Sequence, residues 1–314
     1  MNTELPVIFL MGPTAAGKTS VAVELVQNLP LEIISVDSAM IYRGMDIGTA
    51  KPDSDTQQVA THHLIDICDA AESYSAGRFR EDALRLIGEI HERGNIPLLT
   101  GGTGLYFRTL EQGFSALPPA DRRIRRKLRQ QYEESGLGAM YQKLTVCDPG
   151  SARRIHPNDP QRILRALEVF ETVGKPMSEI LSAGRVGGLP HRLVKIILCP
   201  EQRSILHQRI AARFNRMIEL GFVDEVRGFY ERGDLTPDLP SMRLVGYRQI
   251  WRYLDGSVAY GQMRELGIVA TRQLAKRQIT WLKSESGARW YDGLRPGISS
   301  NILKYLDQFP AIRA

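Results

Sequence analysis

The 314-residue sequence predicts an α/β protein, a parallel sheet flanked by helices and interrupted by a basic helical insertion. Short apolar runs alternate with longer helical patterns through the first third of the chain. A glycine-rich turn bearing a lysine joins the first run to the first helix. After Phe114 the alternation gives way to Arg-rich helical sequence, and a strand pattern returns only at Leu193. Strands alternating with helices imply right-handed βαβ units, and so a parallel sheet buried on both faces.

Val7-Ile8-Phe9-Leu10-Met11 is a β-rich apolar run that stops at Gly12, the pattern of a buried strand. Lys18 to Leu29 reads as a helix closed by Pro30, and Glu32 to Val36 as a second strand ending at Asp37-Ser38. Ser75 supplies an N-cap for a helix reaching Arg93, and Gly94 ends it. Ile96 to Thr100 is another buried strand, halted by Gly101-Gly102. Leu117-Pro118-Pro119 marks a boundary, helical sequence follows to about Val173, and Gly184 to Pro190 reads as a hinge. Leu193 to Leu198 returns to the sheet, and the chain is then mainly helical to about Lys283. The expected organisation is a core over 1–114, a helical insertion over 115–190, and a returning strand with further helices over 191–314.

Composition is that of a globular protein, 43% hydrophobic and 24% charged. The apolar run at Val7 is too short to span a bilayer and follows Glu4 instead of a basic segment, so neither a membrane anchor nor a signal peptide is expected. Cys68, Cys147 and Cys199 match no zinc or disulfide spacing and fit a reducing cytoplasm as small buried hydrophobes. Net charge is +6, unevenly spread: residues 1–114 hold 8 Lys/Arg against 15 Asp/Glu, residues 115–190 hold 13 against 8, and residues 241–283 hold 8 against 2. A basic surface attached to an acidic core suggests a polyanionic partner, although a solvated helical face would give the same count.

Gly12-Pro13-Thr14-Ala15-Ala16-Gly17-Lys18-Thr19 fits the P-loop pattern at every fixed position, between strand and helix as that motif requires. The expected core is therefore P-loop NTPase-like. Loop amides and the helix N-terminus would cradle a diphosphate, Lys18 would reach its outer oxygens, and the Thr19 hydroxyl could hold Mg²⁺. Most such loops serve kinases or NTPases, which need a carboxylate at a strand end. Ile96 to Thr100 runs into Gly101-Gly102-Thr103 with no acid, and the well-placed acid is Asp37, after the second strand.

Longer segments go beyond the loop. Asp37 to Pro52 (DSAMIYRGMDIGTAKP), Gly101 to Tyr106 (GGTGLY), His156 to Arg162 (HPNDPQR), Val245 to Gln249 (VGYRQ) and Thr271 to Trp281 (TRQLAKRQITW) closely resemble the bacterial tRNA dimethylallyltransferase family, in order over about residues 5–285. The resemblance implies transfer of the dimethylallyl group of dimethylallyl diphosphate to the exocyclic amine of the adenosine 3′ of the tRNA anticodon. The P-loop would then hold the prenyl donor's diphosphate and not ATP.

By the same resemblance Asp37 is the expected general base, and Thr103 the donor to the bridging oxygen as the C–O bond breaks. The rival reading of Asp37 is an N-cap or a magnesium-neighbouring acid, and spacing alone favours Thr103 as a turn former after two glycines. Arg213 lies in a segment resembling the family's diphosphate-facing arginine region, with a surface helical arginine as the rival reading. A stacked adenosine cannot be alkylated, so the base should be flipped into a pocket entered past Asp37, Ser38, Ala39 and Met40. The resemblance also implies tRNA contacts at Thr103, at Arg125 in the basic run Arg122 to Lys127, at Gln161, Arg162, Ile163, Leu164 and Arg165, at Arg243, Leu244, Val245, Gly246, Tyr247 and Arg248, and at Lys276, Arg277, Gln278, Ile279, Thr280, Trp281, Leu282 and Lys283. Trp281 by itself reads as core more readily than as a stacking platform. His62, His63 and His156 lack ligand partners at metal spacing, and no cysteine follows Cys199 to supply the zinc finger of the family's eukaryotic members.

A small-molecule kinase, with Asp37 deprotonating a hydroxyl, and a non-catalytic RNA-binding module are the competing readings. The module leaves an intact P-loop and Asp37 unexplained. A related activity on free AMP is disfavoured by basic segments that a mononucleotide would not need. Monomer is the default expectation.

Overall fold

A computed structural model describes residues 5–312 apart from Ala116 and Arg185, which removes one residue of the expected hinge from description. The chain forms two compact units, one from Met1–Phe107 with Pro190–Ala314 and one from Arg108–Leu189.

In the first unit, β1 (Val7–Met11) is wholly buried and leads through the glycine-rich loop into α1 (Lys18–Asn28). β2 (Leu31–Val36) follows, then a long turn, α2 (Ser54–Val59) and the two-residue β3 (His62–His63). Ser75 caps α3 (Ala76–Glu92) by accepting from the Arg78 N–H at 3.1 Å, a side-chain oxygen satisfying an orphan donor of the first turn. β4 (Ile96–Gly101) then enters the sheet, and α4 (Gly104–Gln112) carries the chain out of it.

The second compact unit begins inside α4, ahead of Leu117-Pro118-Pro119, and those prolines precede the next N-cap. That cap is Asp121, which accepts from the Arg123 and Ile124 N–H groups to start α5 (Arg122–Cys147). Gly136, at φ 77°, breaks α5 into two helical pieces. Asp148 caps α6 (Pro149–Ala152), Asp159 caps α7 (Pro160–Val173), and α8 (Met177–Ser182) completes the set. Leu128, Met140, Leu144, Ile155, Ile163 and Leu167 form its core. Phe114 and Val186 pair antiparallel through two backbone hydrogen bonds of 3.2 and 2.9 Å, so the glycine-rich exit segment is tied to the entry segment by a short ladder.

The chain returns to the first unit as β5 (Leu193–Leu198), then α9 (Arg203–Glu219), α10 (Phe222–Glu231), α11 (Tyr247–Leu254) and the 23-residue α12 (Tyr260–Leu282). β6 (Arg289–Tyr291) and α13 (Ile298–Leu306) follow. The sheet order is β3-β2-β4-β1-β5-β6 with every pairing parallel. The carboxyl ends of β1, β2, β4 and β5 therefore share one edge, where ligands bind in open α/β sheets. The tail, which carries no motif, adds the edge strand and lays Ile298, Ile302 and Leu306 onto α1. No described helix is long and apolar enough to cross a membrane.

Candidate active site at the strand ends

The loop after β1 is shaped by backbone conformation. Ala15 and Gly17 both hold left-handed φ values, of 65° and 88°, which turns successive N–H groups inward as an anion-binding concavity. Gly12 is required by close approach, since a Cβ there would stand 2.4 Å from the Leu198 carbonyl oxygen. Lys18 Nζ donates to the carbonyls of Gly12 and Pro13, each at 2.9 Å. Loss of solvent around the Lys18 ammonium pushes its pKa down to about 8; the Asp37 carboxylate opposes that fall, and Arg213 reinforces it.

Two helices roof the loop. From α9, Arg209 Nε donates to the Ala15 carbonyl at 3.0 Å, and the Arg213 guanidinium donates to the Thr14 hydroxyl. Arg213 is thus a half-buried cation on the loop and not a surface arginine; loss of solvent lowers its pKa, Asp37 opposes the shift and Arg209 adds to it. Sequence reasoning does not single out Arg209, although it precedes Arg213 by one helical turn on the same face. From α12, Gln278 accepts from the Thr14 N–H at 2.9 Å and donates to the Gly102 carbonyl at 3.1 Å, so it bridges the loop and the end of β4.

Asp37 and Thr103 arrive on neighbouring strands. In the β2–β4 register Val36 stands opposite Gly101, which sets the next residues side by side. A Cβ on Gly101 would lie 2.1 Å from the Val36 carbonyl oxygen, so β4 approaches β2 closely enough that only glycine fits. The Asp37 carboxylate accepts from the Ala39 N–H at 2.8 Å. Thr103 Oγ1 accepts from the Ser38 N–H at 3.1 Å and donates to Ser38 Oγ at 3.4 Å. One carboxylate, two half-buried cations and a fixed hydroxyl therefore converge at this edge. Thr19 is exposed at the start of α1.

The other expected contact residues divide. In α12, Lys276, Arg277 and Thr280 are exposed, as is Lys283 just beyond it, whereas Leu282 is in the core and Trp281 stacks on Phe107 with ring centres 5.8 Å apart. Arg243 and Arg248 are exposed, Leu244 and Val245 are half-buried, and Gly246 and Tyr247 are buried. The Tyr247 hydroxyl donates to Glu225, and burial followed by the Glu225 charge raises its pKa strongly. In the second unit Gln161 and Arg162 are exposed, Leu164 and Arg165 half-buried, and Ile163 wholly buried. The side chains of Ile163, Tyr247 and Leu282 are wholly buried and pack in the interior, because apolar surface at helical spacing fills the core. Arg125 Nε and Arg165 both pair with Glu168 at 2.9 Å, and Glu168 is buried. His63 bonds Glu32 at 2.9 Å at the opposite end of the sheet, while His62 contacts the Ala60 carbonyl at 2.6 Å.

A family model described as IPP transferase matches residues 40–285. The chain is 51% identical over 306 residues to a tRNA dimethylallyltransferase of Coxiella burnetii, covering 98% of each. Among solved structures it resembles a tRNA isopentenylpyrophosphate transferase of Bacillus halodurans at 36% identity, with a TM-score of 0.71 and 98% of each chain covered. A eukaryotic dimethylallyltransferase acting on tRNA matches at 26% identity with a TM-score of 0.81, over 99% of this chain and 81% of that one. The P-loop edge, the segments that build it and these matches over nearly the whole length lead to one conclusion: the chain belongs to the IPP transferase family.

Proposed function

We propose that the protein transfers the dimethylallyl group of dimethylallyl diphosphate to N6 of the adenosine next to the anticodon on its 3′ side, acting as a cytoplasmic monomer on the tRNA anticodon stem-loop. The observation that carries this reading is the Asp37 carboxylate set against Lys18 and Arg213 at a strand edge where β4 ends in Gly101-Gly102-Thr103, without an acid. The adenosine N6 attacks the allylic carbon, the C–O bond breaks, and diphosphate leaves with the electron pair. Lys18, Arg213 and the loop amides stabilise the charge that grows on the leaving group. Asp37 takes the N6 proton as general base. Thr103 is held by the Ser38 N–H on its acceptor side, and its long donation to Ser38 Oγ, 3.4 Å, is exchanged for the bridging oxygen.

Ser38, Ala39 and Met40 would line the entry of the flipped base. The exposed cations Arg162, Arg243, Arg248, Lys276, Arg277 and Lys283, with Arg125, would meet phosphates. Among the described residues no group of three or more His, Cys, Asp or Glu could hold a metal ion. Mg²⁺ nevertheless suits the site, because it is commonly held by one or two protein ligands plus substrate phosphates and water, and the exposed Thr19 hydroxyl provides such a ligand. Bound there, the ion would offset diphosphate charge. The kinase reading is set aside, since the relatives described above carry prenyl-transfer names. Incubating the protein with unmodified tRNA and dimethylallyl diphosphate without ATP, then digesting the tRNA for mass spectrometry, should give one adenosine heavier by a dimethylallyl group in place of hydrogen. Unchanged nucleosides would refute the reading.

A further inference from the structure

Glu225 lies in the first turn of α10, away from every motif singled out in the sequence. Its carboxylate accepts from three consecutive backbone N–H groups, Asp46 at 3.0 Å and Ile47 at 2.6 Å on one oxygen and Gly48 at 3.1 Å on the other. The second oxygen also accepts from the Tyr247 hydroxyl at 2.5 Å. Successive N–H groups turned toward one carboxylate form an anion nest filled by the protein's own side chain. The contact is close on all sides. A Cβ on Gly48 would lie 2.0 Å from the Phe222 ring and 2.6 Å from the Tyr247 ring.

The two segments joined there are the loop that follows Asp37 and the segment Arg243–Arg248. Within that loop Lys51, whose side chain is 3% exposed, binds the Tyr42 carbonyl, Asp46 and Asp66, so the stretch beyond Met40 is anchored from both sides. Arg248 follows Tyr247 directly and is exposed. We propose that Glu225 is a positioning residue that locks the Asp37 loop to the Arg243–Arg248 segment, so that both present a single preformed surface to the acceptor RNA. This rests on the prenyl-transfer reading for the RNA; the lock itself does not.

The lock predicts a split between the two substrates. Glu225→Ala leaves three backbone donors and a tyrosine hydroxyl without their acceptor, and losses of that kind shift the local folding equilibrium that holds the two segments together by about tenfold or more. KM for tRNA should therefore rise about tenfold or more, with kcat reduced, while KM for dimethylallyl diphosphate stays within about twofold because the P-loop contacts are untouched. Glu225→Gln, keeping one acceptor oxygen, should recover part of the tRNA effect. Tyr247→Phe, which removes one bond and leaves the nest, should give a smaller shift of the same kind and serves if Glu225→Ala fails to fold. Amide hydrogen exchange at Asp46, Ile47 and Gly48, protected in the parent and fast in the Glu225 variants, reads the lock without reference to catalysis. An unchanged KM for tRNA in variants with fast exchange, or KM values for both substrates rising together, would overturn the proposal. Protection lost as predicted in a protein that prenylates no tRNA would instead count against the functional reading alone.

Discussion

At the ends of β1, β2 and β4, polar groups are locked to one another across long stretches of sequence, whereas the cations of the Arg108–Leu189 unit stand largely in solvent. Thr14 and Gln278 are 264 residues apart and hydrogen-bonded; Ser38 and Thr103 are 65 apart and bonded twice. In the helical unit Arg125 is 53% exposed and Lys127 61%, and the four cations Arg125, Arg165, Lys127 and Lys143 gather on only two acids, Glu168 and Glu171. Under the proposed function the contrast matches what each region would do. Transfer chemistry needs groups fixed to within fractions of an ångström, while phosphate attraction needs only charge at the right density. Substitutions should therefore act on rate in the first region and on salt-dependent affinity in the second.

The largest effect should come from Asp37→Ala, which should slow single-turnover prenyl transfer by about 10²–10⁴-fold with little change in tRNA affinity. A collapse of tRNA binding instead would make Asp37 a positioning group. Thr103→Val should cost about 10²-fold in the same assay, in line with loss of one donor to a developing charge, and Thr103→Ser should retain most of the rate. Lys18 gives a pH signature. Because its pKa is pushed down to about 8, the ammonium discharges above that pH, and affinity for dimethylallyl diphosphate should fall by up to about tenfold per pH unit. A calorimetric titration series from about pH 7 to about 9.5 checks this, and Lys18→Arg should abolish the step. The linked stability runs the other way: the unfolded chain binds the extra proton between about 8 and the usual 10.5, so folding is favoured as pH rises through that window.

On the basic side, Arg126 and Lys276 make a cleaner test than Arg125, because removing Arg125 also deprives buried Glu168 of a partner. Neutralising Arg126 and Lys276 together should lower the slope of log affinity for tRNA against log salt by about 1 per contact and leave the single-turnover rate alone. The smallest effect on activity is expected at the far end of the sheet. Arg93, aided by Asn95 and His63, holds the Glu32 carboxyl down to about 2 against the opposing effect of burial. The stability it contributes is present above the usual 4.5 and is lost as pH falls toward 2, so Glu32→Gln should flatten acid unfolding over that range without changing turnover.

What the sequence made legible was local. The P-loop is complete within Gly12 to Thr19, the Ser75 cap and Gly94 stop frame α3, and the strands ending at Met11, Val36 and Leu198 follow from short apolar runs. The contacts that close the site were not legible, because they join residues distant in the chain. Nothing near Gln278 announces a bond to Thr14, and nothing near Glu225 announces a nest. Tyr247 and Ile163 sit in segments that resemble the family as blocks, and a block does not say which face of its helix is buried. The tail lacks a motif because its role is packing: Gly293 fits against the loop, where a Cβ would stand 2.4 Å from the Ala16 carbonyl oxygen.

The central claim is that the P-loop grips a leaving group and not a nucleotide to be hydrolysed. Phosphate products recovered from labelled dimethylallyl diphosphate during tRNA modification test it most directly. One intact diphosphate per modified adenosine, at a rate independent of ATP, is the predicted result. Release of orthophosphate in step with modification, or an absolute need for ATP, would contradict it.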